Sequence, residues 1–222
     1  MEVPLMKVPA LTKTYDDKVV LSSSQFELEE GLVYAIIGAN GSGKSTLARI
    51  LAGVIDSDEK WKMPHQIKVG YMPQKTYPFR MSVLRNLTLS GGSNEMAKRL
   101  LADFGISELG RNNAAELSGG ETARMAMARL LMQQYDIIIL DEPTAAMDVT
   151  AALQAEKVLL DYSKQNVCTV LLVTHSIKQA SRLADKVIFM KDGSIVEMGD
   201  AQSILNAPRE KHTKEFLDFY SL

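Results

Sequence analysis

Leu32-Val33-Tyr34-Ala35-Ile36-Ile37-Gly38-Ala39-Asn40-Gly41-Ser42-Gly43-Lys44-Ser45-Thr46 passes from an unbroken apolar run through a glycine-rich turn into a segment, 44–52, with apolar residues at helical spacing. An apolar run of this length reads as a strand buried on both faces. Gly53 stops the helix. The turn fits G-x-x-x-x-G-K-[ST] in the strand–loop–helix setting the pattern requires. Gly38, Gly41 and Gly43 let backbone N–H groups curl around phosphate oxygens without Cβ clashes, and the helix that follows turns its positive end toward the same anion. Asn40, Ser42 and Thr46 belong to that cradle. Lys44 is expected to reach the β- and γ-phosphates, and Ser45 to ligate Mg²⁺.

A second stretch, Ile137-Ile138-Ile139-Leu140-Asp141-Glu142-Pro143, ends an apolar run in two acids. A carboxylate at the C-terminal edge of a buried strand lies where ligands of α/β sheets bind. Asp141 is suited to hold the hydrated Mg²⁺, and Glu142 to polarise an attacking water.

Between and beyond these stretches, strands are expected over 18–21, 25–28, 32–37, 66–71, 136–140 and 167–174. A hairpin over 186–190 and 194–197 turns at Lys191-Asp192-Gly193. Helices are expected over 44–52, 95–104, 118–133, 149–165 and 177–183, with a last one running through 201–222. Buried strands alternating with helices predict an α/β fold. The expected fold class is a P-loop NTPase with a mostly parallel central sheet, an N-terminal antiparallel β subdomain and a small α-helical subdomain. Residues 1–222 are expected to form a single domain, with a core lobe of 1–73 and 134–222 and a helical lobe of 74–133.

The composition, 46% hydrophobic and 23% charged with a net charge of −2, suits a globular domain and offers no broad basic face for nucleic acid. The apolar runs are strand-length, far below the ~20 residues that span a bilayer, so work at a membrane needs another chain to supply the span. The opening residues 1–10 lack a basic start followed by a long apolar core, and no signal peptide is expected. The lone cysteine, Cys168, falls in an apolar run and reads as a buried thiol in a reducing compartment.

Leu117-Ser118-Gly119-Gly120-Glu121 opens the 118–133 helix ahead of the Asp141 strand. A serine and two glycines at a helix start form another anion-binding arrangement. This pentapeptide resembles the LSGGQ signature of ABC ATPases, and the resemblance extends through LSGGETARMAMARLL. It implies several further roles. Gln74 matches the Q-loop glutamine near the metal and water, and His175 the switch histidine at the γ-phosphate. Asp148 matches the D-loop aspartate and Tyr15 the aromatic that stacks on adenine. Ser118, Gly119, Gly120 and Asp148 then contribute in trans to a nucleotide held by a second cassette. His65 and His212 match no motif and are expected at the surface, while Trp61 reads as filling.

The chain departs from the family pattern in three places. Glu121 stands where the signature has Gln, the D-loop reads Ala145-Ala146-Met147-Asp148, and only 29 residues separate Lys44 from Gln74. The last implies that antiparallel strands common in that interval are trimmed.

The resemblance implies an ATPase of the cytoplasmic membrane face that pairs with a second cassette, as a homodimer, and drives transmembrane permease subunits. It also implies a solute-binding protein in the complex. A single cassette without a fused membrane segment, and Gly110-Arg111-Asn112-Asn113-Ala114-Ala115-Glu116 in place of the exporter turn, favour an importer over an exporter or a non-transport ATPase. The stretch 73–83 looks most like cassettes serving oxyanions such as tungstate, and next polar amino acids.

Overall fold

The computed structural model describes residues 5–220. Four strands come first: β1 (Leu5–Val8), β2 (Leu11–Tyr15), β3 (Lys18–Ser23) and β4 (Phe26–Glu29). β1 pairs with β4 and β2 with β3, both antiparallel. The helix α1 (Lys44–Leu51) follows β5 (Val33–Ile37), and β6 (Val69–Met72) comes next. Among the described residues no antiparallel strand stands between α1 and β6. Helices α2 (Val83–Thr88), α3 (Asn94–Asp103) and α4 (Gly119–Leu130) fill the stretch before β7 (Ile137–Asp141). The rest runs α5 (Val149–Asn166), β8 (Thr169–Val173), α6 (Ile177–Leu183), β9 (Lys186–Lys191), β10 (Ser194–Asp200), α7 (Ala201–Asn206) and α8 (Lys211–Tyr220). The central sheet has the order β10-β9-β5-β8-β7-β6, parallel throughout except for β10, which hairpins back on β9.

Every residue of β5, β7 and β8 is buried, because helices and the N-terminal strands cover both faces of the sheet. Alternate residues then sort to opposite faces. Tyr34, Ile36, Ile137, Ile139, Leu171 and Val173 pack with Leu21, Leu28, Leu47 and Leu51 under the N-terminal strands and α1. Ile138, Leu140, Val170 and Leu172 face the other way, toward Met125 and Met127 of α4 and Leu159 of α5. Ala35 and Ile37 meet Phe189, Phe216 and Leu217 under the C-terminal helices. Each such aliphatic side chain contributes roughly 1.5–3 kcal/mol by leaving water, which outweighs any local propensity at these positions. Cys168 lies in this interior with its thiol pushed up to about 12 by burial.

The structure corrects the sequence reading in several places. Val167 does not begin a strand. It ends α5 in the left-handed conformation (φ 51°), and β8 starts at Thr169. The sharp turn is fixed by Ser163, whose carbonyl accepts from Cys168 N–H at 2.9 Å and whose hydroxyl donates to the Cys168 carbonyl at 2.6 Å. The C-terminal stretch is two helices rather than one, because Pro208 falls between them and cannot continue a helical ladder; Ser221 and Leu222 lie outside the described residues. The strands β1 and β2 and the short helix α2, capped by Ser82, carry too few periodic residues to be read from sequence.

Candidate functional site

The glycine-rich loop springs from the C-terminal end of β5. Gly38 sits at φ 149°, and a Cβ there would stand 2.1 Å from the Met190 carbonyl oxygen. Only glycine fits where β9 presses on the loop. The β9–β10 turn closes the other side, with Gly193 N–H donating to the Ser42 carbonyl at 3.1 Å. Gly43, left-handed at φ 97°, caps the start of α1. The Lys44 ammonium donates to the Gly38 and Ala39 carbonyls at 2.7 and 2.9 Å, so the loop holds its own cation. Burial lowers the Lys44 pKa, against the opposing pull of Glu142 and Asp141.

Asp141 ends β7 fully buried. Its Oδ1 accepts from the Ser45 hydroxyl at 3.0 Å, while Oδ2 has no hydrogen-bond partner. Burial raises the Asp141 pKa more than Ser45, Arg49 and Lys44 lower it. An oxygen-only pair with an unpartnered carboxylate oxygen fits a hard divalent cation. Glu142 is left-handed (φ 51°), an unusual conformation for a residue with a Cβ, and its N–H donates to the Val173 carbonyl at 3.0 Å. That turn aims its carboxylate at His175, with Oε1 2.8 Å from Nδ1.

These groups share one cavity of about 510 Å³, lined by Asn40 through Thr46, Gln74, Asp141, Glu142, Val173 and Val20. Loop, acids and glutamine therefore come together as the motifs suggest. Val20 was not foreseen: it is a strand residue whose place at the cavity follows from how β3 lies against the loop, with no local signal. His175 joins through Glu142.

Other predicted residues lie elsewhere. Ser118 caps α4 in a reciprocal box. The Glu121 carboxylate accepts from Ser118 N–H at 2.8 Å and from its hydroxyl at 2.7 Å, and Glu121 N–H returns to Ser118 Oγ at 3.4 Å. These bonds from Ser118 hold the Glu121 pKa below the usual carboxylate range. Gly119 and Gly120 back onto Ala146, whose carbonyl oxygen would lie 2.9 Å from a Cβ on Gly120. Asp148 caps α5 by accepting from Ala151 N–H at 2.9 Å. Tyr15 is exposed at the end of β2, with the Lys13 ammonium 5.2 Å from its ring centre. His65 and His212 are exposed, and Trp61 packs against the core beneath the N-terminal strands.

The profile of the family described as ABC transporter matches residues 21–145, more than half the chain. The chain belongs to the ABC transporter family. This cassette is similar over nearly its whole length to the phosphate import ATP-binding protein PstB of Aeropyrum pernix (30% identical, 98% of each chain). It also resembles the tungstate uptake system ATP-binding protein TupC of Peptoclostridium acidaminophilum (36% identical, 86% of this chain and 96% of that one). A third relative is the glutamate transport ATP-binding protein GluA of Corynebacterium efficiens (32% identical, 96% and 98%). Among solved structures, the ADP conformation of an ATP-binding cassette of an ABC transporter superposes with a TM-score of 0.80 at 25% identity, covering 97% of this chain and 98% of that one. A bacterial Atm1-family ABC exporter with ATP bound reaches 0.87 at 21% identity over 43% of its own chain, a likeness of fold alone. The cassette is an ATP-binding, ATP-hydrolysing P-loop enzyme. No helix among the described residues is long and apolar enough to cross a membrane.

Proposed function

We propose that this cassette energises solute import through a separate membrane permease, working at the cytoplasmic face as one of a pair of cassettes around ATP. One observation carries the reading: loop residues 40–46, Gln74, Asp141 and Glu142 converge on a single cavity, in a chain whose relatives are named import or uptake ATP-binding proteins.

In this reading the backbone N–H groups of the loop and the N-terminus of α1 receive the phosphates, and Tyr15 stacks on the adenine. Asn40, Ser42 and Thr46 complete the cradle. Lys44, held beside the loop, presents its charge to the β- and γ-phosphates. Ser45, Asp141 and Gln74 hold Mg²⁺, which when bound offsets phosphate charge. Glu142 orients the attacking water and takes its proton, and His175, bonded to Glu142, faces the γ-phosphate. Apart from that proton transfer, the chain contributes mostly positioning and charge stabilisation.

Ser118 and Gly119 are exposed and do not line the phosphate cavity itself, although Gly119 borders an adjoining groove with Gln74 and Glu142; their exposure supports their use, with Gly120 and Asp148, on a nucleotide held by a second copy. A homodimer is the simplest arrangement. Residues 74–133 act as the helical lobe and the remainder as the core lobe. A groove of about 490 Å³ beside Gln74 is lined by Met72, Phe79, Met81, Leu89 and Tyr135. Phe79 and Leu89 are more than half exposed there, an apolar seat for a permease helix. The solute is an oxyanion such as tungstate, in keeping with relatives named for phosphate, aliphatic sulfonates and tungstate, and next a polar amino acid. An extracytoplasmic binding protein delivers it.

The test is a tagged pull-down from solubilised native membranes, with the parent chain and Phe79→Asp side by side. A multi-span permease captured by the parent and lost from Phe79→Asp supports the reading. Recovery of soluble proteins or ribosomes alone defeats the importer assignment and leaves the ATPase intact.

A further inference from the structure

A buried polar cluster stands behind the Glu142–His175 contact and takes no part in the chemistry described so far. Glu156, on α5, and Gln179, on α6, are each 4% exposed. The Glu156 carboxylate accepts from Arg182 Nε at 3.0 Å and Nη2 at 2.7 Å. Gln179 uses the two hydrogens of its amide nitrogen on Glu156 Oε1 and on Thr144 Oγ1, both at 2.9 Å. One side chain thus ties α5, α6 and the segment after β7 together.

We propose that Gln179, anchored by the Glu156–Arg182 pair, is a positioning residue that fixes the approach of Glu142 to His175. The inference rests on the reading that those two residues act at the γ-phosphate.

Connectivity carries the argument. Thr144 stands two residues after Glu142, in a tight turn where Ala145 N–H donates to the Glu142 carbonyl at 3.3 Å and Met147 N–H to the Thr144 carbonyl at 3.0 Å. On the other side, Gln179 N–H donates to Ser176 Oγ at 3.2 Å, and Ser176 N–H to Thr174 Oγ1 at 3.0 Å. His175 is the residue between those two anchors. Among the described residues, Gln179–Thr144 is the one side-chain hydrogen bond joining the segments apart from Glu142–His175 itself. Glu142 needs such a brace, because its left-handed backbone is strained and relaxes if the turn is free to move.

Burying a carboxylate and pairing it with arginine gains little stability over an apolar pair of the same shape. What the polar cluster adds is direction: the carboxylate fixes which way the Gln179 amide points, and the amide fixes Thr144.

The experiment measures kcat, the KM for ATP, ATP affinity and melting temperature on the full chain. The variants are Gln179→Leu, Thr144→Val and their combination, with Gln179→Glu alone and together with Glu156→Gln. Gln179→Leu is expected to lower kcat about tenfold while ATP affinity and KM stay within about twofold. Thr144→Val should do the same, and the combination should lose no more than Gln179→Leu alone, since the bond between Gln179 and Thr144 is already absent in that variant. Gln179→Glu sets two carboxylates together and should lose more. Adding Glu156→Gln exchanges amide and acid across the bond and should restore much of the kcat.

A folded Gln179→Leu with parental kcat overturns the inference, as does a loss shared in proportion by ATP affinity and melting temperature, the mark of general loosening. Glu142→Gln runs in parallel. If it turns over briskly, the underlying reading falls; if it is inactive while Gln179→Leu is normal, only the positioning role falls.

Discussion

The two oxygens of Asp141 live in different circumstances, one accepting from Ser45 and the other buried with no partner. Burial raises the carboxyl pKa above its ordinary value, so the folded state binds the proton more tightly than the unfolded chain. Stability from this group is therefore greatest below the ordinary carboxylate range and falls as pH rises through the raised value. Asp141→Asn, which keeps an acceptor for Ser45, is expected to raise the melting temperature of the chain at neutral pH without nucleotide or metal. That advantage should shrink on acidification, and Mg²⁺-dependent hydrolysis should be lost. A lower melting temperature at neutral pH would contradict the account. Gly38→Ala tests the loop at the same scale: with Met190 O only 2.1 Å from the new Cβ, it should cost on the order of 3 kcal/mol or more and abolish ATP binding, as thermal melting and nucleotide titration would reveal. The residues of the phosphate loop and the Asp141–Glu142 pair were legible because their spacing states their chemistry. The Glu142–His175 bond and the place of Val20 were not, because chain segments distant in sequence create them.

At the scale of the element, buried strands and long helices announced themselves by their apolar runs, and errors gathered at their ends. Val167 looked like the first residue of a strand because it is β-branched and adjoins apolar neighbours. The structure makes it a left-handed helix stop, over half exposed, a conformation that costs a β-branched residue about 1–2 kcal/mol. Val167→Asn, which accepts that conformation, is expected to stabilise the chain by about 0.5–1 kcal/mol and raise the melting temperature by roughly 2 °C; a destabilised variant would show that its contact near Gly31 outweighs the strain. Glu121, a departure from the signature by composition, serves its element well. As the third helical residue it closes the capping box with Ser118, a local role that the sequence pattern S-x-x-E states by itself.

Across the whole molecule, the period-two alternation of β5, β7 and β8 divides the interior between the two faces of the sheet. The interior beneath α2–α4 is continuous with β7, β8 and α5, so the helical segment packs directly against the strand that ends in Asp141. The cavity is assembled at the C-terminal ends of β5, β7 and β8, and the exposed α4 N-terminus borders the groove beside it, an arrangement consistent with the proposed pair of chains. The sequence foretold the class of fold through its strand–helix alternation, whereas the order of the sheet and the pairing of the N-terminal strands depend on long-range contacts that no window of residues contains. The central claim, that Glu142 drives hydrolysis in a cavity two copies complete, is tested most directly by Glu142→Gln, measured for steady-state ATP turnover, ATP binding and molecular mass in solution. Turnover should be almost abolished, with ATP retained and a stable dimer formed around it; brisk hydrolysis by that variant would remove Glu142 from the chemistry.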